Sequence, residues 1–279
     1  KLIKNEVKSY NEKIDIKLEK VKLLLNLKNL SIKIQTKDPV LVYKKKAINI
    51  EKISSNISIA SYFKKEFGIE NLFIETKKNK IHDLIYLNSS INNNPRIFIL
   101  SKFIKKGEVK AIINLKFDKK GKVKPDYIIN GRLEDGKLQL LKLENIDKIN
   151  FDFEFKKNNL KLSNITFDIE KTKFYSDSLL INKVNTDYNF KGNIKNERTN
   201  LNSKLLKLIS LHESNYVDIA NSEFENFSEF NFAVTKKFKI KNFNIKSKIN
   251  IYDLIYLENK EIFNKYFSEY KDNVKFKKI

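Results

Sequence analysis

The chain has no cysteine, methionine or tryptophan in 279 residues, and only 6 glycines, 3 prolines and 2 histidines. Without cysteine there is no disulfide, no thiolate nucleophile and no cysteine-ligated metal. The histidines, His82 and His212, have no carboxylate at ligand spacing, so each reads as a surface or packing residue. So little glycine and proline argues against a loop-rich or disordered chain. No phosphate-loop, dinucleotide-binding or nucleophile-elbow pattern occurs. The stretch Gly131 to Gly136 lies between strand-like runs and opens no helix. No run approaches the roughly 20 apolar residues of a membrane-spanning helix, and no signal-peptide pattern is visible. The acidic pair Asp152 and Glu154 reads as part of a solvated strand face. With no catalytic constellation, the expectation is a protein that is not an enzyme and needs no cofactor and no metal.

Arginine is scarce as well. The net charge is +22, yet only Arg96, Arg132 and Arg198 are arginine and the rest of the positive charge is lysine. Base-edge readout favours arginine, and the lysines are spread along the chain. The charge therefore reads as a solvated outer face, with no nucleic-acid partner expected. A basic exterior is still attracted to anionic lipid headgroups.

What the chain has in abundance is alternation. From Val109 the odd positions read Val109, Ala111, Ile113, Leu115, Phe117, and between them stand Lys110, Ile112, Asn114, Lys116. Phe151, Phe153 and Phe155 alternate with Asp152 and Glu154. Period two sends one set of side chains to each face of a sheet, giving one apolar and one charged face. The composition supplies the material, with 21 Phe and 12 Tyr and 41% hydrophobic residues. The predicted fold class is mainly β: an elongated, twisted, mostly antiparallel β-groove sheet with a few short helices.

Along the chain, residues 2–14 read as an amphipathic helix, either capping an open sheet end or lying on a membrane surface. Strand candidates follow at Ile14–Leu18, Leu23–Leu27, Leu30–Ile34, Val40–Tyr43, Ile48–Ile53 and Ile57–Ile59. Asn29 and Asp38-Pro39 mark turns. Ala60–Phe67 reads as a short helix stopped by Gly68, Ile69–Glu75 as strand, and His82–Leu87 as a short helical turn. Asn92–Pro95 is the expected boundary between a first groove unit, 1–94, and a second, 95–279. A meander follows, with turns expected at Asp118–Gly121, Glu134–Gly136 and Lys156–Asn159. Leu201–Leu211 has helical spacing, and strands resume with Phe230, Phe232, Phe243 and Ile245. The pentapeptide Asp83-Leu-Ile-Tyr-Leu87 recurs at Asp253–Leu257, as a repeated sheet-then-helix unit would leave it. The opening at Lys1 and the strand-like close at Val274–Ile279 read as a piece of a longer polypeptide.

The segment Ser31–Glu75, SIKIQTKDPVLVYKKKAINIEKISSNISIASYFKKEFGIENLFIE, resembles the N-terminal repeat of AsmA-like proteins. There a strand with a "dP" turn leads to a second strand, a short helix and a third strand. Gly107–Lys195 is similar to the C-terminal region of the same family in its rhythm. The resemblance implies a bridge-like lipid carrier whose apolar face holds phospholipid acyl chains. It implies a periplasmic protein, anchored in the inner membrane by a segment outside this chain, with the inner and outer membrane surfaces as partners and a role in outer-membrane assembly. It brings no catalytic residues. The groove-lining residues expected from the alternation are Ile113, Leu115, Phe117, Phe151, Phe153, Phe155, Phe167, Ile169, Tyr188 and Phe190. Strand count and turn spacing fit equally a structural or adhesive β-sandwich that binds a protein partner and no lipid.

Overall fold

The computed structural model describes residues 14–43, 46–64, 68–91, 101–139, 145–202, 204–206, 217–218, 221–256 and 274–278. As the alternation predicts, the described residues are mainly β, with 73% in strands and 8% in helices. It forms two compact units, Lys1–Leu143 with Lys148–Ser163, and Glu144–Asp147 with Asn164–Ile279.

In the first unit, β1 (Ile14–Lys17), β4 (Val40–Tyr43) and the start of β5 (Lys46–Ser58) make a short antiparallel ladder, with Ile16 opposite Leu41 and Leu41 opposite Ile48. The rest of β5 belongs to a wider run. There β2 (Lys20–Asn26), β3 (Ser31–Lys37), β5, β6 (Ile69–Thr76), β8 (Ile104–Lys116) and β9 (Ile128–Leu138) pair antiparallel in that order. β10 (Ile146–Lys156) pairs with β9, and the short β7 (Asn79–Lys80) pairs with the start of β8. α1 (Ile59–Phe63) follows β5, and α2 (Ile81–Ile91) packs on β5, β7 and β8. There Tyr86 meets Tyr43 edge to face at 5.9 Å, and Lys46 pairs with Asp83 at 2.7 Å.

In the second unit, β12 (Thr172–Val184), β13 (Asp187–Asn200), β15 (Glu223–Val234) and β16 (Ile240–Tyr256) are successive antiparallel neighbours. β14 (Val217–Asp218) and β17 (Val274–Lys278) both pair with the end of β16. β11 (Asn159–Ile169) follows β10 after a turn in which Lys157 has φ 52°.

Several expectations meet a different structure. The two strands expected at Ile48–Ile53 and Ile57–Ile59 are one continuous β5, bent by register shifts after Ile50 and Asn56. The helix expected at Ala60–Phe67 begins at Ile59 and runs to Phe63, and 65–67 lie outside the described residues. Glu134–Gly136 is not a turn: it lies inside β9, where Asp135 takes φ 50° and the ladder with β8 slips. The extra residue of a bulge needs the same chemistry as a turn, which explains the confusion. The pentapeptide echo is not a structural repeat: Asp83–Leu87 is in α2, whereas Asp253–Tyr256 ends the strand β16. The turn at Asp118–Gly121 forms as expected, with the Asp118 carboxylate accepting the amides of Lys120 and Lys122 and Gly121 at φ 78°. The expected helix at 2–14, the segment 92–94 and His212 lie outside the described residues, apart from Ile14, which opens β1; of 201–211, residues 204–206 are helical. β6 and β8, on either side of Asn92–Pro95, pair within the first unit.

Candidate functional site

In an antiparallel ladder, directly opposed residues share a face. Leu23 and Leu25 on β2 oppose Ile34 and Ile32 on β3, and Ile32 opposes Ile57 on β5. Ile53 opposes Ile74 on β6, while Ile74 and Leu72 oppose Ile113 and Leu115 on β8. Ile113 in turn opposes Ile129 on β9. The next row is Val109 with Leu133 and Ala111 with Gly131, and the ring of Phe153 on β10 lies over Gly131. One apolar face therefore crosses every strand of this run from β2 to β10.

Burial grades along these rows. The ends nearest α2 are buried: Ile50, Val109, Leu133 and Ile149, with Thr36 and Thr76 in the same belt. Two to four residues further along each strand, Ile34, Ile53, Ile74, Ile113, Ile129 and Phe151 are only half-buried, and on β2 Leu23 is 66% exposed. The face is closed by packing at one end and meets solvent along the rest.

The reverse face is charged. Arg132 reaches Asp152 at 3.2 Å and Glu134 at 3.3 Å, Lys110 reaches Glu51 at 3.0 Å and Glu75 at 3.1 Å, and Lys116 reaches Asp126 at 2.7 Å. Lys78 also donates to Glu134. That hydrogen bond and the lysine charge hold the Glu134 carboxyl below its ordinary range and Lys78 above its own. A shallow cleft of about 300 Å³ lies over this side of Gly131, lined by Lys110, Arg132, Glu134 and Asp152. These are mutually paired charges.

The second unit repeats the construction on its own scale. Phe190 on β13 opposes Ile181 and Phe232, Tyr188 opposes Lys183 and Val234, and Gly192 opposes Leu179 and Phe230. Phe190 and Phe232 stack at 4.8 Å with 5° between their planes, and Phe232 meets Phe243 at 6.1 Å. The closed end is a cluster of Phe174, Leu201, Leu205 and Phe224, against which Phe167, Ile169, Ile194, Leu206 and Ile251 pack. Between cluster and phenylalanines runs a polar belt in which Ser228 donates to Asn226 at 2.7 Å and accepts from Ser247 at 2.8 Å.

Of the expected lining residues, Ile113, Leu115 and Phe153 are joined on the first face through the Ala111–Gly131 step. Phe151 stands 6.4 Å from Phe153, and Phe155 stands 5.9 Å from Tyr127. Phe117 continues the β8 alternation and bridges to Val123. Tyr188 and Phe190 share the second unit's open face. Phe167 and Ile169 sit against its closed end, with Phe167 stacked on Phe174 at 5.6 Å. Leu23 and Leu25 of β2 and the isoleucines and Leu72 of β3, β5 and β6 belong to the same face, and the same alternation marks them although they are not among the expected lining residues. Phe230 and Phe232 were read as strand but not as lining.

Among the described residues, no group of three or more His, Cys, Asp or Glu could hold a metal ion, and no helix is long and apolar enough to cross a membrane. No protein family, curated protein or solved structure matches this chain.

Proposed function

We propose that this chain is a lipid carrier without catalytic activity, in which phospholipid acyl chains lie against the apolar sheet faces while headgroups stay at the solvated edge. The observation that carries this reading is the grade of burial: residues in register across β2 to β9 form one apolar face, and most of it is left half-exposed. A contiguous apolar face of this extent in water is an interaction surface. An acyl chain suits it because burial is non-directional, about 0.8 kcal/mol per methylene, so a chain gains as much at one position along uniform rows as at the next. The resemblance of Ser31–Glu75 to AsmA-like proteins points the same way. It adds a periplasmic setting and passage of phospholipid between the inner and outer membranes.

The test is retention of lipid. Protein purified without detergent is extracted and analysed by mass spectrometry, and binding of a fluorescent fatty acid is titrated. The groove reading expects co-purified phospholipid and saturable binding. Phe153→Asp places a carboxylate on the face, costly to desolvate under an acyl chain but free to reach water from an open sheet. Binding should fall at least tenfold while a cooperative melt is kept, a few degrees below wild type for the lost ring contacts. If no lipid is recovered and Phe153→Asp instead collapses the fold, the face is a closed core and the structural-sandwich reading replaces this one.

A further inference from the structure

The hairpin of β2 and β3 exposes apolar side chains on both faces and at its tip. Leu23 and Leu25 point to the groove face, 66% and 60% exposed, and Leu24, on the opposite face, is 53% exposed. Leu27 and Leu30, in the turn, are 72% and 54% exposed. All seven side chains of β2 are exposed. Between Lys20 and Lys37 the hairpin carries five lysines, Lys20, Lys22, Lys28, Lys33 and Lys37, and no acidic residue. Lys33 lies directly opposite Leu24 in the ladder.

We propose that this hairpin seats on an anionic lipid bilayer, with its tip leucines in the acyl boundary and its lysines on headgroup phosphates. The occupant follows from the chemistry. A protein strand or sheet laid on the hairpin covers one face, and leaves Leu24 or the Leu23–Leu25 row, and the tip, in water. A bilayer is apolar at depth and anionic at its surface, so a hairpin entering it tip-first satisfies both faces at once. Lys28, at the tip, extends its stem along the apolar layer and carries its ammonium back to the phosphates. The inference goes beyond the groove reading, since Leu24, Leu27 and Lys28 lie outside the groove rows, and it stands whether or not the groove holds lipid.

The experiment sediments the full chain with vesicles of phosphatidylcholine alone or with about 30 mol % phosphatidylglycerol, the anionic lipid supplying the surface potential. Binding is expected to the anionic vesicles and to weaken at least tenfold in about 0.5 M salt, where screening is short-ranged. Each lysine near such a surface strengthens binding about fivefold, so K22Q/K28Q/K33Q should lose about a hundredfold. The pair L24S/L27S should lose about tenfold even at low salt, because two of the five exposed leucines that anchor the hairpin are removed. Circular dichroism and the amount of co-purified lipid should be unchanged in both variants, which keeps this test separate from that of the groove. A wild type that ignores anionic vesicles, or variants that bind as well as it does, overturns the proposal. So does loss of a lipid-free dimer in L24S/L27S, which assigns the leucines to a second copy of the chain. Should the leucine variant misfold, the lysine variant and the salt dependence decide.

Discussion

The ring of Phe153 occupies the space that a side chain at Gly131 would need. A Cβ built at Gly131 would run into that ring and stand 2.5 Å from the carbonyl oxygen of Lys110. Opposite Gly131 is Ala111, so two small residues make a shallow step in an otherwise bulky apolar face, and a phenylalanine fills it. Gly131→Ala must displace both the ring and a neighbouring strand. The expected cost is about 1–3 kcal/mol, the range for overpacking a well-fitted site. Urea unfolding that shows a change below about 0.5 kcal/mol, the usual scatter of surface substitutions, would count against this fit.

Asn79 holds β7 to β5 through its side chain. It is buried, its Oδ1 accepts the Asn49 amide at 2.7 Å, and its Nδ2 donates to the carbonyl oxygens of Asn49 at 2.9 Å and Lys77 at 2.8 Å. The amide thus stands in for a strand neighbour beside Asn49. Asn79→Ala leaves a part-buried N–H without its acceptor, and a penalty of about 1–3 kcal/mol is expected. It should appear as a lower urea midpoint at unchanged slope, since the folded and unfolded surfaces are not altered.

The carboxylates of the charged faces give stability a definite pH sense. Hydrogen bonds from lysine hold Asp38, with Lys77, and Asp177, with Lys195, below the ordinary carboxylate range. Glu225 is held low by hydrogen bonds from Asn250 and Tyr252. Because the folded state lowers these pKa values, the unfolded chain binds more protons on acidification. The stabilising effect is complete above the ordinary carboxylate range and is lost as pH falls through the depressed values. Melting temperature should therefore drop below about pH 4. It should drop less steeply in Asp38→Asn and Asp177→Asn, whereas a steeper fall would contradict the assignment. Asp38 and Asp177 are exposed, so salt at neutral pH should change the contribution of their ion pairs little.

Period-two alternation made the fold class legible, since it fixes which side chains share a face without reference to distant strands. Its failures are instructive. Asp-Leu-Ile-Tyr-Leu is helix at 83–87 and strand at 253–256. Leucine, isoleucine and tyrosine suit either state, so neighbours decide: the first copy packs on β5, β7 and β8, and the second pairs with β17. Local propensity is too weak to resist such context. The bulges were hidden for a related reason. Lys148, Asn164, Asn242 and Asp253 all take positive φ inside or beside strands, and lysine and asparagine are too common here to flag such positions. The apolar faces were legible as alternation, but the sequence could not separate a closed end from an open one. Phe167 and Phe190 read alike, yet one stacks on the buried cluster and the other stands on the open face.

That difference can be measured within one unit. Phe224 and Phe190 both present rings to the apolar side of the second unit, on strands that pair directly. Phe224 is 1% exposed, enclosed with Phe174, Leu201 and Leu205. Phe190 is half-buried, stacked on Phe232. An aspartate at Phe224 has no route to water and nothing to pair with, so Phe224→Asp should unfold the unit or cost it at least about 3–5 kcal/mol. An aspartate at Phe190 loses one ring-on-ring contact, about 0.5–1.5 kcal/mol, and some buried area, but its carboxylate can hydrate from the open side. Phe190→Asp should keep a cooperative melt a few degrees below wild type. Phe190→Ala serves as the control that removes the ring without adding charge. If Phe190→Asp and Phe224→Asp are equally damaging, both rings lie in one closed core, and the open face assigned to this unit is wrong. If Phe190→Asp melts like Phe190→Ala, the charge itself costs nothing there, as a solvent-accessible apolar face requires.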